Sequence, residues 1–350
     1  DVVHIQVVLP YDPNMSYLKG LVGLIRTARQ ESSKFIGQII LMDPAVQVDE
    51  CISALKLDYL HPTDDLIQHR TGKRLVQGWN EIKDSAVKYK PATPGMSYYK
   101  DNGVYLITGG LGGLGYIFAR DIANATANSH LVLTGRSELD EGKMERVREI
   151  ESLGTKVLYI KSDISVKEDV DKLVQATIEK YGQLDGVIHS AGLIKDSYII
   201  RKKTSDLEEV MSPKVKGLVY LDEATQDQNL DFFVVFSSLS GAYGNPGQAD
   251  YSMSNAFMDY YTMYRNACVE RGERKGRTKS LNWPLWTDGG MQVDDAVKMF
   301  IKKNFYMLPL PTDQGIEVMN QCIANNIEQC VVQYGDVKKM RENIEQSEFL

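Results

Sequence analysis

VYLITGGLGGLG, residues 104–115, begins as an apolar run suited to a buried strand and ends with five glycines in eight residues. Gly110, Gly112 and Gly115 fit GxGxxG, and Thr108, Gly109, Gly113 and Gly115 stand in a TGxxxGxG spacing. Glycine is required in such a loop because the turn is tight and the backbone must approach a pyrophosphate closely. The helix that follows must also pack on the strand and point its N-terminus at the anion. A ligand-free glycine turn is the rival reading. The position between a strand and a helix favours the dinucleotide loop.

Working outward, the strand patterns after residue 100 are VYLITG, HLVLTG, KVLYIKSD, LDGVIHSAG, FFVVFSS and TKSLNWPLW. Between them lie helical patterns from about Gly113, over 140–153, over 166–181, before Gln228, and around YSMSN at 251–255. Six strands separated by helices predict a doubly wound parallel sheet. Residues 1–100 carry a shorter alternation, VVHIQVVLP, SYLKGLVGLIRTARQ, FIGQIILMD and a helix near VDECISAL, which predicts a small parallel sheet. Its first strand runs into YDPNM instead of a glycine turn, so this half is expected to be a scaffold without cofactor. The segment 89–103, YKPATPGMSYYKDNG, reads as a linker. The expected fold is therefore α/β with two Rossmann-like subdomains. Residues 1–100 form a truncated structural one and residues 101–350 a complete cofactor-binding one.

Composition narrows the function. The 350 residues are 43% hydrophobic and carry a net charge of −7, which argues against a nucleic-acid binder. Cys51, Cys268, Cys322 and Cys330 are scattered without CxxC or histidine pairs, so no metal site or disulfide framework is expected and a reducing cytoplasm fits. No stretch approaches the roughly 18 apolar residues of a membrane span. The opening DVVHIQVVLP is already strand-like, and the chain reads as a piece of a longer polypeptide.

The second strand ends in TGRS. A carboxylate there would bind free ribose hydroxyls, whereas Arg136 and Ser137 offer a cation and a hydroxyl suited to a 2′-phosphate. NADPH is the expected cofactor, with Arg136 as a plain surface arginine the competing reading. Asp163 in KSDIS suits either an adenine contact or the N-cap of the next helix.

Hydride reduction of a ketone leaves an alkoxide that needs a proton, and the carbonyl must be polarised by positioned donors. A tyrosine serves if a nearby cation lowers its pKa. Tyr251 stands at a helix start, and Ser238 ends a strand at the carboxyl edge of the sheet, the usual crevice of such folds. A lysine four residues after the tyrosine is missing, because Asn255 occupies that place.

Here the sequence resembles the ketoreductase domains of bacterial modular polyketide synthases, a branch of the short-chain dehydrogenase/reductase superfamily. In that family lysine and asparagine exchange places, the lysine coming from the helix before the serine strand. SPKVKGLVYLD supplies Lys214, which precedes Ser238 by 24 residues and Tyr251 by 37. The resemblance implies that Tyr251 donates the proton and Ser238 bonds the carbonyl oxygen. It further implies that Lys214 holds the nicotinamide ribose and lowers the tyrosine pKa, while Asn255 supports a water or the lysine. Lys216 is expected to face solvent. The implied cofactor contacts are Thr108, Gly109, Gly110, Gly112, Gly113, Leu114 and Gly115, then Arg136, Ser137, Asp163 and Ile164. Ser190, Ala191, Lys214, Tyr251, Pro284 and Leu285 complete them. The implied reaction is reduction of a ketoacyl thioester borne by the phosphopantetheine arm of an acyl carrier protein, with other domains of the synthase as neighbours. A catalytically inactive dinucleotide-binding scaffold is the alternative. An extended-class sugar epimerase would need YxxxK and a large C-terminal domain, and neither is present.

Lesser signals refine this. HSAG (189–192) occupies the family's turn beside the nicotinamide, and His189 is expected to steady the sheet. IKDS (194–197) lies where some ketoreductases carry LDD, the fingerprint of a D-configured hydroxyl. Asp196 alone is kept, and Tyr243 stands where the opposite type has tryptophan. These point to the D product, and IKDS resembles synthases whose acyltransferases act in trans. TDGGMQVDD offers glycine hinges for a lid between Trp286 and about Lys303, with Met291 and Phe300 facing substrate or packing a helix. RGERKGRTK (271–279) reads as a solvated loop ahead of a carrier-docking patch.

Overall fold

The computed structural model describes residues 1–82, 98–291 and 293–346. Residues 89–97 of the expected linker lie outside them.

The first half contains β1 (Val3–Pro10), α1 (Leu21–Glu31), β2 (Phe35–Met42), α2 (Val48–Tyr59), β3 (Leu66–Arg70) and β4 (Lys73–Val76). They form one four-stranded sheet in the order β1-β2-β3-β4. The first three strands are parallel as expected, but β4 returns antiparallel to β3. The reason is the connection: two residues, Thr71 and Gly72, both at positive φ, make a hairpin turn and leave no room for a crossover.

The second half runs β5 (Val104–Thr108), α3 (Gly113–Ala125), β6 (His130–Gly135), α4 (Glu141–Ser152), β7 (Lys156–Lys161), α5 (Lys167–Tyr181) and β8 (Gly186–His189). It continues through α6 (Thr204–Ala224), β9 (Phe232–Ser238), α7 (Leu239–Tyr243), α8 (Ala249–Glu270), β10 (Arg277–Trp283), α9 (Asp295–Phe305), α10 (Thr312–Ala324), β11 (Gln329–Val331) and α11 (Val337–Gln346). Seven strands order as β11-β10-β9-β8-β5-β6-β7, every pairing parallel. Alternate residues feed opposite faces: Tyr105, Leu131, Leu133, Phe232 and Val234 join one apolar cluster, and Val104, Leu106, Val132, Phe233 and Val235 the other. Burial on both faces explains why these strands read as continuous apolar runs. The order reverses between β5 and β8, which opens a crevice beyond the carboxyl ends of β5, β8 and β9.

Two helices that border this crevice are tied at their far ends. The Asp222 carboxylate on α6 accepts from Arg265 Nε (2.7 Å) and Tyr261 Oη (2.9 Å) on α8, and Arg274 Nε adds a third donor at 3.0 Å. A buried charge is tolerated only with such saturation. α8 packs in turn on α1, with Ala256 and Tyr260 in the same apolar cluster as Val22, Ile25 and Ile39. The basic loop 271–279 is consumed structurally as well: Arg271 pairs with Glu273, Arg277 with Glu328, and Lys279 bonds Asn326.

Candidate active site

The sheet's carboxyl edge opens on a cavity of about 2170 Å³. Gly109, Gly112, Gly113, Leu114 and Gly115 line it, and so do Ser238, Tyr251 and Lys214. Arg136, Asp163, Ile164, Ser190, Ala191, Pro284 and Leu285 line it too. Four expected site residues do not face it. Thr108 is fully buried and bonds the His189 ring (2.8 Å), Gly110 packs on Leu133, and Ser137 offers its carbonyl to Tyr159. Asn255 is buried and donates Nδ2 to the Tyr251 carbonyl (2.8 Å), while its buried Oδ1 has no partner among the described residues.

The glycine loop is a tight turn between β5 and α3. A Cβ on Gly115 would collide with the Gly109 carbonyl, closing the turn. A Cβ on Gly113 would collide with the Gly289 carbonyl, a requirement invisible in the loop's own spacing. Gly289 and Gly290, the latter at φ +84°, thus seat the segment before α9 on the first turn of α3. α9 then presents Val297, Phe300 and Ile301 to the cavity, and Met291 joins them. Phe300 is 59% exposed, so it is not helix core. Arg136 is exposed, and its guanidinium has no hydrogen-bond or ion-pair partner among the described residues. Asp163 accepts from both Ser165 N (2.9 Å) and Ser165 Oγ (2.6 Å), a local turn; Val166, not Asp163, caps α5.

Ser238 ends β9 and caps α7, its Oγ accepting from Ser240 N at 3.3 Å. Asn282 Nδ2 holds the Ser238 carbonyl (2.9 Å) and the Asp259 carboxylate (2.8 Å). Lys214 reaches in from α6, directly after Pro213, and is 3% exposed while Lys216 faces solvent. Its Nζ donates to the Phe236 carbonyl (3.0 Å) and lies 5.3 Å from the centroid of the Tyr251 ring. Burial pushes the Lys214 ammonium down to about 7, with Asp259 pulling the other way. Burial likewise lifts the Asp259 carboxyl to about 6.

Tyr251 departs from expectation in one respect. Its phenol is shifted upward by burial, against the downward pull of Asn255 and Ser238 hydrogen bonds, and Asp196 adds to the rise. A tyrosine pKa lowered by Lys214 is therefore not what this arrangement gives. The ammonium sits over the ring and is spent on a backbone carbonyl, while desolvation disfavours the phenolate. His189, pushed down to about 3 by burial, is neutral and serves the sheet. No cluster of potential metal ligands occurs among the described residues, the cysteines are free, and no described helix is long and apolar enough to cross a membrane.

Known proteins share this sequence pattern and fold. The family model described as KR domain matches residues 103–288. Polyketide synthase PksN of Bacillus subtilis (strain 168) is 41% identical over 344 residues, 98% of this chain and 6% of that protein. Polyketide synthase PksL of the same strain is 43% identical over 337 residues, 96% of this chain and 7% of that protein. This chain therefore spans a small fraction of either synthase. The crystal structure of a ketoreductase domain from the bacillaene assembly line aligns with a TM-score of 0.91 at 41% identity, covering 97% of this chain and 80% of that one. The matched region takes in the glycine loop, the serine strand and the tyrosine helix that meet in the cavity, and the chain accordingly belongs to the KR domain family, the ketoreductase domains of polyketide synthases, on a short-chain dehydrogenase/reductase type of Rossmann fold.

Proposed function

We propose that this chain reduces the ketone of a ketoacyl thioester, carried on the phosphopantetheine arm of an acyl carrier protein, to the D-configured hydroxyacyl thioester with NADPH as reductant. Residues 101–350 do the chemistry and residues 1–100 support them, within a synthase whose acyltransferase acts in trans. The observation that carries this reading is that Ser238, Tyr251 and Lys214 line the same cavity as the glycine loop.

The residues present fit the cofactor. A tight glycine turn lining the cavity, backed by the N-terminus of α3, would suit the pyrophosphate. Arg136, with no partner among the described residues, would suit the 2′-phosphate, and Ser190, Ala191, Pro284 and Leu285, which line the cavity, would hold the nicotinamide end. Bound NADPH supplies the hydride. The chain supplies the rest: Ser238 Oγ and the Tyr251 phenol donate to the carbonyl oxygen, and Tyr251 passes its proton to that oxygen as charge builds. Lys214 contributes positive charge beneath the tyrosine. D configuration draws support from Asp196, whose carboxylate accepts from Gln248 (3.0 Å) three residues before Tyr251.

The test is NADPH oxidation, followed by absorbance, with a ketoacyl thioester or a simple cyclic ketone. No turnover with any ketone, despite cofactor binding, removes the reading. Arg136→Ala is expected to lower the preference for NADPH over NADH by roughly tenfold to a hundredfold, the worth of hydrogen bonds to a charged group. An unchanged ratio of the two kcat/KM values would refute the phosphate assignment.

A further inference from the structure

α1 belongs to the four-stranded half, yet its last two turns are bonded to the two loops that frame Tyr251. Arg26, held by Asp65 (2.7 Å), donates Nη1 to the Ala242 carbonyl (2.5 Å). Thr27 Oγ1 accepts the N–H of Asn245 (3.1 Å), and Gln30 Nε2 donates to the Tyr243 carbonyl (2.6 Å). Glu31 accepts twice: Oε1 from the N–H of Gly247 (2.9 Å) and Oε2 from the N–H of Ile199 (2.7 Å).

These two N–H groups come from different loops. Gly247 lies in residues 244–248, which follow Tyr243 at the end of α7 and lead into α8. Ile199 lies in residues 192–203, which carry Asp196. The loops also touch directly, Ser197 N to Gly247 O at 2.8 Å and Gln248 to Asp196 at 3.0 Å. Lys202 locks the second loop onto α8, its Nζ on both Asp250 oxygens (2.7 and 2.8 Å) and on the Lys195 carbonyl (2.8 Å). Gly244, at φ +76°, passes so near α1 that a Cβ would stand 2.8 Å from the Thr27 nitrogen. Tyr243 and Gln30 line the same cavity as Tyr251, so this junction borders the space a substrate would occupy.

We propose that Glu31 is a specificity-determining positioning residue: by taking one backbone N–H from each loop, its carboxylate fixes the gap between the Asp196 loop and the Tyr243 loop. That gap sets which face of the ketone is presented. The inference rests on the ketoreductase reading. The chemistry of the side chain makes it testable. A carboxylate is acceptor-only with two oxygens, so it serves two donors at once, whereas an amide has one acceptor oxygen and turns an NH₂ on the other donor. Glu31→Gln therefore keeps shape and loses one of the two ties.

The experiment measures the ratio of epimeric hydroxyacyl products by chiral chromatography, with KM, kcat and the NADPH dissociation constant, for the parent, Glu31→Gln and Glu31→Asp. Glu31→Gln is expected to shift the epimer ratio about tenfold towards the minor product, the factor carried by one hydrogen bond of this kind, and to raise KM. Cofactor affinity should stay at the parent value, and Glu31→Asp, with both acceptors on a shorter stem, should recover part of the ratio. An active parent whose epimer ratio is unchanged in both variants overturns the role of Glu31 alone. A parent that binds NADPH but reduces no ketoacyl thioester overturns the ketoreductase reading and this inference with it. If Glu31→Gln does not fold, Glu31→Ala, which removes both acceptors, carries the decision: an unchanged epimer ratio overturns the role of Glu31.

Discussion

Tyr251→Phe is expected to lower kcat about 10³-fold, within the 10²–10⁴ range that a positioned general acid contributes. NADPH affinity should change by less than about twofold, because the substitution keeps the ring. The aromatic face over which Lys214 lies at 5.3 Å survives, and so does the backbone carbonyl that Asn255 bonds. What disappears is the one donor that can both polarise the ketone and deliver a proton. Ser238 can still polarise, but a serine hydroxyl is far too weak an acid to replace the phenol. The upward shift of the phenol has a consequence for the pH profile. A tyrosine that stays protonated through the neutral range is always charged with its proton, so any fall in parent activity between about pH 6 and 9 should follow loss of the Lys214 charge near 7 and not loss of the acid. Stopped-flow single turnovers with saturating NADPH read the chemical step directly. A loss smaller than tenfold would mean that another group protonates the alkoxide.

The doubly wound sheet could be read from sequence because each strand is buried on both faces and each is followed by a helix with its own period. The glycine loop could be read because its needs are local: the nearest atoms that exclude a side chain at Gly115 belong to Gly109 and Gly110 of the same loop. Gly113 is different, since the carbonyl that excludes a Cβ there belongs to Gly289, far along the chain. The antiparallel turn of β4 was within reach, as a two-residue Thr71–Gly72 link cannot cross over. α1 was not. Arg26, Gln30 and Glu31 occupy the polar face of an amphipathic helix, which reads as solvated, and Arg26 and Glu31 find Ala242 and Gly247 each 216 positions later. Nothing in a period or a composition marks such a bond. For the same reason residues 1–100 read as inert scaffold, although α1 grips the loops beside Tyr251. The relation of Lys214 to Tyr251 came from likeness to a family and not from spacing, and likeness carried the partners but not the direction of the phenol's pKa. That direction depends on desolvation, which is a property of the packed site.

Lys214→Met is expected to pull activity and stability in opposite directions. Met matches the lysine stem in volume, so the change removes a charge from a buried place and leaves no large cavity. Loss of that charge beneath the reacting groups should lower kcat/KM about 10²-fold or more, the scale of one preorganised electrostatic contact. Stability should move the other way. The ammonium is buried, with one carbonyl as hydrogen-bond partner and Asp259 as its distant counter-charge, and its pKa falls from 10.5 to about 7. A lysine with a folded pKa below its unfolded one holds fewer protons in the folded state between those values. The parent therefore gains stability as pH rises from about 7 towards 10.5, and the burial penalty is felt in full below about 7. The Met variant carries no such penalty, so its melting midpoint should exceed the parent's most near pH 7, and the gap should narrow by about pH 9.5. Asp259, pushed up to about 6, is mainly ionised at both pH values and does not confuse the comparison. A variant that melts below the parent at both pH values would show that the Phe236 bond and the Tyr251 contact outweigh desolvation. In that case Lys214 would be a structural cation first, and its retention would say little about catalysis. A variant that is more stable and nearly inactive would instead mark Lys214 as a charge kept at a cost to the fold, for which the remaining explanation is the reaction it serves.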